Sequence, residues 1–291
     1  MQALVRETEF KRLDGVKQLG YLHKTFGENT THKRLSYSIR LFQKAKKKAQ
    51  QLHENQPELN ITKQDVMCVA LAGLCYNLGQ PPLSYDFWRI RNRKYGFFDE
   101  DELLDQSCKL LDDIWPMITK MDALNHDKVE LSEKDKAFVK ALMRGKNKSP
   151  KMCTDGHPLR QEDKDFLYEI VNNKYNGLDV KLFTYLVEDA KSLQIKEWSS
   201  TCTEIEKMME TAKVIFINED GTTRSHIMYS DEFNYFKRRN TSIGTVYQNP
   251  EHRAKVIQLS DAYTHHMKFA PSQFSLTDEQ FLATFFFTRS F

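Results

Sequence analysis

The sequence predicts a mostly α-helical protein with one small β-hairpin, on three observations. First, VMCVALAGLCYNL, from Val66 to Leu78, is an apolar run too long for an ordinary strand. Second, the segments either side of it place apolar residues at helical spacing, and several start at an N-cap residue. Third, the clearest β pattern is Val214 to Ile217 and a return segment ending at Met228, joined by Asp220-Gly221 as a turn.

The Val66 run is the centre of this reading. Thr62 serves as N-cap, and apolar residues on all sides predict a helix buried on most of its surface. Ala70, Ala72 and Gly73 leave room for another backbone to approach closely. The helix should break at Gly79 and cannot pass Pro81-Pro82. Polar groups at the end of a buried helix often line a site, which singles out Tyr76 and Asn77.

Around it, residues 1–21 carry apolar positions at Leu4, Val5, Phe10, Leu13, Val16 and Leu19, an amphipathic segment. Thr31 to Leu52 reads as a helix through Leu35, Ile39, Leu41, Phe42 and Ala45. Its late cluster of Lys44, Lys46, Lys47 and Lys48 suits the helix dipole and reads as a solvated face. WRIRNRKYG, from Trp88, reads as a basic surface loop with interleaved aromatics. Helices follow over Asp99 to Ile114, with acidic residues in the first turn, and over Leu131 to Met143, with Ser132 as N-cap. Gly145 to Asp165 reads as a polar loop.

The charge balance excludes little: 43 basic against 40 acidic residues give a net charge of +3, too even to imply a nucleic-acid partner. The 5 cysteines form no CxxC pair and read as reduced thiols, which predicts an intracellular protein, cytoplasmic or nuclear. Neither a membrane-spanning run nor a signal peptide is evident.

AGLCYNLGQPPLSY (Ala72 to Tyr85) and FLYEIVNNKYNGLDVKLFTYLVEDAKSL (Phe166 to Leu193) resemble the core motifs of the SAM-and-HD-domain deoxynucleoside triphosphate triphosphohydrolases. With the shorter matches KRLDGVKQLG and THKRLSYSIRL, the resemblance runs over roughly residues 5–287. It implies an HD-domain helical bundle, here one degenerate HD-type domain over 1–291 with no SAM domain and no C-terminal lobe. In that family the His-Asp pair of AGLCHDLGHGPFSH and two further residues bind a metal. The aligned metal positions here are Tyr37, Tyr76, Asn77 and Lys181, and the aligned acid-base histidines are Gln80, Tyr85 and, more softly, Leu104. The family's phosphate lysine aligns with Leu182. By contrast Gln18, Leu19, Arg34, Tyr185, Asp189, Arg239, Tyr247 and Gln248 match family residues that surround base, sugar and phosphates.

A phenol with a pKa near ~10, an amide and an ammonium are poor metal ligands, so the expectation is no metal, no cofactor and no metal-dependent hydrolysis. Lys181 is expected to plug the cavity, with Tyr37, Tyr76 and Asn77 hydrogen-bonded around it. The function expected is that of an inactive HD-type pseudoenzyme that binds a nucleotide or nucleoside, a protein partner or a second copy of itself. Two alternatives stand beside it. One is metal-free chemistry at Lys181. The other is single-stranded nucleic-acid binding through Lys44 to Lys48 and Arg89 to Lys94.

Overall fold

The computed structural model describes residues 4, 9–27, 30, 32–91, 99–121, 129–145, 162–194, 199–219, 221–229, 248–266 and 271–287, with backbone alone at 199–202, 262–266, 271 and 285–287. The helices are α1 (Glu9–Leu13), α2 (His23–Phe26), α3 (Arg34–Asn55), α4 (Lys63–Cys75), α5 (Tyr85–Arg91) and α6 (Glu100–Ile118). They continue as α7 (Glu133–Arg144), α8 (Tyr168–Val171), α9 (Val180–Ser192), α10 (Ser199–Thr211), α11 (Pro250–His266) and α12 (Asp278–Phe287). The single sheet among the described residues is the hairpin β1 (Lys213–Glu219) and β2 (Thr222–Met228), antiparallel with Val214 opposite Ile227. No helix of the described residues is long and apolar enough to cross a membrane.

Helix α4 is the axis of the core. A capping box starts it: the Thr62 hydroxyl accepts from the Asp65 N–H at 3.1 Å, and the Asp65 carboxylate accepts from the Thr62 N–H at 3.0 Å. Asp65 is itself buried, and Lys164 donates to it at 2.8 Å, so its charge is paired. Every residue from Asp65 to Cys75 is buried. Such a helix is covered all round, chiefly by α3 and α7. The small residues do what their sizes predict. A Cβ built on Gly73 would stand 2.9 Å from the Leu41 carbonyl oxygen and 3.2 Å from the Ala45 Cβ, so α3 and α4 touch backbone to backbone there.

The helix ends earlier than the sequence predicts, at Cys75 rather than Gly79. The reason is tertiary. The Ser107 hydroxyl of α6 donates to the Tyr76 carbonyl at 3.0 Å and accepts from the Gly79 N–H at 2.9 Å. Residues 76–79 therefore close as a turn against α6. Gly79 is required by that contact, since a Cβ there would lie 2.6 Å from the Ser107 nitrogen.

The turn after it is clamped from outside. Arg12 donates to the carbonyls of Leu78 (2.6 Å) and Gln80 (2.9 Å). Asp278, opening α12, accepts from the Leu83 N–H at 2.6 Å and from the Lys17 N–H at 3.0 Å. Leu83 and Ser84 both have positive φ, 57° and 53°, a conformation that costs a non-glycine residue about 1–3 kcal/mol unless its surroundings hold it.

Two further segments differ from expectation. Trp88 to Arg91 is not a surface loop: it belongs to α5, with Trp88 and Ile90 buried, because its aromatics pack on Phe274 while Arg91 reaches out to Glu102 at 2.6 Å. Residues 92–98 lie outside the described ones. The lysine cluster late in α3 is not a uniformly solvated face either. Lys44 and Lys47 face Glu206 (3.5 Å) and Glu210 (3.1 Å) of α10, while Lys48 is buried and donates to the Met209 carbonyl at 2.6 Å.

These contacts set two expectations. Gly73→Leu forces α3 and α4 apart and lowers stability by about 1–3 kcal/mol or more, read as a lower urea midpoint at unchanged m. Burial pulls the Lys48 ammonium down from 10.5 to about 7. The unfolded chain then binds more protons between about 7 and 10.5, so stability rises with pH across that window and is lowest below it. Lys48→Met should flatten that rise in a pH series of denaturation curves.

Candidate functional site

The turn after α4 and the first turn of α9 bring Tyr76 and Lys181 together. Lys181, the second residue of α9, points its ammonium at the end of α4. Its Nζ donates to the Tyr76 hydroxyl (2.9 Å), the Glu100 Oε1 (3.0 Å) and the Asn172 Oδ1 (3.1 Å), and it lies 4.5 Å from the centroid of the Tyr76 ring. Glu100, in the first turn of α6, also accepts from the Tyr76 hydroxyl and from Lys174. Three neutral or anionic oxygens thus meet one ammonium, and a second ammonium completes the carboxylate.

The electrostatics follow from this geometry. Burial opposes the charge on Lys181, but Tyr76, Asp179 and Glu100 outweigh it and hold its pKa well above the ordinary value. Burial likewise opposes ionised Glu100, yet the Lys181 charge and hydrogen bonds from Lys174, Tyr76 and Lys181 pull its pKa from 4.5 to about 2. Burial pushes the phenols of Tyr37 and Tyr76 up.

The expected ring of partners around Lys181 is only partly right. Tyr76 is there. Tyr37 instead donates to the Lys181 backbone carbonyl at 3.0 Å, because its phenol reaches the start of α9 and not the end of the lysine. Asn77 faces away, since its side-chain oxygen accepts from Arg34 at 3.2 Å. Glu100, Asn172 and Lys174 take their places. The sequence reading gave none of them a site role: Glu100 reads as an acidic first-turn residue of α6, and the other two fall within the matched Phe166 to Leu193 stretch.

Arg34 organises a second chamber beside the first. Only 1% exposed, it donates to the Ser84 hydroxyl (2.9 Å), Asn77 (3.2 Å) and the Gln18 carbonyl (3.3 Å). The rings of Tyr37 and Tyr85 lie 5.9 Å and 5.1 Å from its guanidinium. Asp189 is fully buried and bonded to the His32 Nε2 at 2.9 Å, a partner the sequence did not indicate. Gln18, Leu19 and Gln80 are buried, and Tyr185 packs partly buried on the core. Among the described residues, five buried polar atoms of this region make no hydrogen bond: Gln18 Oε1, His32 Nδ1, Ser38 Oγ, Asn77 Nδ2 and Gln80 Nε2.

The remaining candidates stand apart. Leu104 is core, and Leu182 packs against it. Gln248 is exposed just before α11. Arg239 and Tyr247 lie outside the described residues. Among the described residues no group of three or more His, Cys, Asp or Glu side chains is placed to hold a metal ion.

A helical core whose central helix ends in a polar turn facing α3 and α9 is consistent with an HD-type helical domain, and the chain resembles the HD-domain proteins of the SAMHD1 family. The zebrafish (Danio rerio) deoxynucleoside triphosphate triphosphohydrolase SAMHD1 is 34% identical over 190 residues, 65% of this chain and 30% of that protein. The Xenopus laevis protein of the same name is 28% identical over 278 residues, 89% of this chain and 42% of its own length. The SAMHD1 homolog of Dictyostelium discoideum is 28% identical over 273 residues, 93% of this chain and 47% of its own. The chain therefore spans less than half the length of these relatives. No protein-family model matches it.

Lys181→Met tests the charge cluster. It leaves the Glu100 carboxylate with one ammonium partner fewer, and an expected loss of about 1–3 kcal/mol follows at neutral pH. Glu100 has a depressed folded-state pKa, so its contribution is present above about 4.5 and is lost as pH falls toward about 2. Denaturation midpoints should fall across that window in the parent protein and fall less in Lys181→Met.

Proposed function

We propose that this chain is a catalytically inactive relative of the deoxynucleoside triphosphate triphosphohydrolases, acting by binding rather than by hydrolysis. One observation carries the reading: the Lys181 ammonium, held by Tyr76, Glu100 and Asn172, stands at the end of α4 among the positions aligned with the family's metal ligands. Metal-assisted hydrolysis needs neutral imidazole or carboxylate donors facing an open coordination position. Here the aligned donors are two phenols whose protons burial retains, an amide turned toward Arg34, and a cation. That set does not fit a divalent metal.

The surroundings of Lys181 also weigh against metal-free nucleophilic chemistry. A lysine nucleophile needs a depressed pKa, whereas this one is raised. Nucleic-acid binding through α3 is weakened by the pairing of Lys44 and Lys47 with α10 glutamates and by the burial of Lys48. For the bound species, one observation favours a small polar ligand of nucleoside or nucleotide type beside a protein partner. The orphan atoms around Arg34 and Asp189 each cost about 1–3 kcal/mol if left unpaired in the protein.

Incubation with deoxynucleoside triphosphates and manganese, magnesium, iron or zinc should release no triphosphate above the protein-free rate. Metal-dependent release would overturn inactivity. A thermal-shift series with deoxynucleosides and deoxynucleotides separates the two kinds of binding. A melting-point rise that needs no metal and is lost in Asp189→Asn supports the ligand; an unchanged melting point leaves the protein partner.

A further inference from the structure

The hairpin of β1 and β2 has two outer edges, and they are finished differently. Glu219 pairs with Thr222, so a two-residue turn closes the ladder and fixes which backbone groups face outward. Pairs alternate from there, so the N–H and C=O of Val214, Phe216 and Asn218 point away from β2. Those of Ser225 and Ile227 point away from β1. The Ile227 N–H donates to the Glu169 Oε2 at 2.8 Å, and β2 lies along residues 162–167, so that edge is covered. On β1 the Gln56 side chain clasps Val214 from outside. Its Oε1 accepts from the Val214 N–H at 2.7 Å, and its Nε2 donates to the Val214 carbonyl at 2.9 Å.

Beyond that clasp the edge of β1 is open. Among the described residues no hydrogen bond reaches the outward N–H and C=O of Phe216 or Asn218. The Phe216 side chain is 53% exposed, and Ile215 and Met228 beside it are exposed too. The usual devices that blunt an edge are missing: KVIFINE has no proline, and its register with β2 runs without a bulge. An open apolar edge of this kind is a template for one more strand.

The composition of β1 says which strand. Lys213 stands at one end and Glu219 at the other, with Ile215, Phe216 and Ile217 between them. Laid antiparallel against itself, the strand brings unlike charges together at both ends; laid parallel, it brings like charges together. A strand from an unrelated protein would call for no such self-complementarity. The clasp on Val214 then selects the register. Phe216 lies opposite Asn218 of a second copy, and Ile217 lies opposite its own counterpart on the two-fold axis. Each copy's free outward groups then pair with the other's, and neither clasp is disturbed. Glu219 comes diagonal to Lys213 of the second copy, within reach of that long side chain.

We infer that the open edge of β1 is a self-association surface, on which two copies of this chain join their two-stranded hairpins into one four-stranded antiparallel sheet. The contact is isologous, and a seam of so few residues belongs to the small, transient class of interface. The inference is independent of the α4 turn and of what that turn binds.

Sedimentation equilibrium of the full chain over a concentration series should show a monomer–dimer equilibrium. Ile217→Lys and Ile217→Asp each set like charges face to face on the two-fold axis. Each should weaken dimerisation ~10-fold or more, and an equimolar mixture of the two should restore it. Ile217 is part-exposed, so both variants should keep the circular dichroism of the parent. Phe216→Pro removes an outward N–H and no bond between β1 and β2, and it should weaken the dimer as well. A parent that is monomeric at every concentration would overturn the inference and leave the edge to a strand of another protein. A dimer indifferent to all three substitutions, or charged variants that stay monomeric when mixed, would overturn it too.

Discussion

Helix α4 is buried on every side, and the rest of the molecule is arranged to satisfy that constraint. A helix covered all round needs neighbours on each flank, and α3 can approach because Gly73 has no side chain. Its N-terminus opens to solvent at Thr62 and Lys63, but the capping carboxylate of Asp65 is buried and is paired with the Lys164 ammonium. Its C-terminus is where the difficulty concentrates. The polar turn at 76–79 emerges inside the protein, and each of its groups must find a partner there.

That requirement explains the clamps. Ser107, Arg12, Arg34 and Asp278 all contribute hydrogen bonds to the backbone or side chains of residues 76–84. Together they hold Leu83 and Ser84 in a left-handed conformation that neither would adopt alone. Arg34 is the instructive member. Its alignment suggests contact with a phosphate, yet its guanidinium is spent on Ser84, Asn77 and Gln18, beneath the rings of two tyrosines. A residue can match a binding motif and serve mainly to fix the loop beside it.

Lys181 shows the same economy with charge. A half-buried ammonium is costly when isolated and tolerable when its hydrogens and its field are both answered. Tyr76 and Asn172 answer the hydrogens, and Glu100 answers the field. Because Lys174 shares Glu100, the cluster is not a simple pair. The net effect is a fixed cation supplied by the chain at the end of α4.

The elements and their types were legible in the amino-acid order: the buried run after Thr62, the caps at Thr62 and Ser132, and the hairpin all appear where local pattern puts them. These features depend on residues a few positions apart, so sequence suffices. The ligand chemistry of Tyr37, Tyr76, Asn77 and Lys181 likewise needs only the sequence, since phenols, an amide and an ammonium are poor metal ligands by type. What only the tertiary structure decided was partnership across long separations. Glu100 meets Lys181 from 81 residues away, Asp189 meets His32 from 157, and the end of α4 is set by Ser107 of another helix. The burial of Lys48 and of Trp88 belongs with these, because composition marks a charge or an aromatic but not the helix that will cover it. Hydrogen bonds of that kind are chosen by packing, and packing is a property of the whole chain.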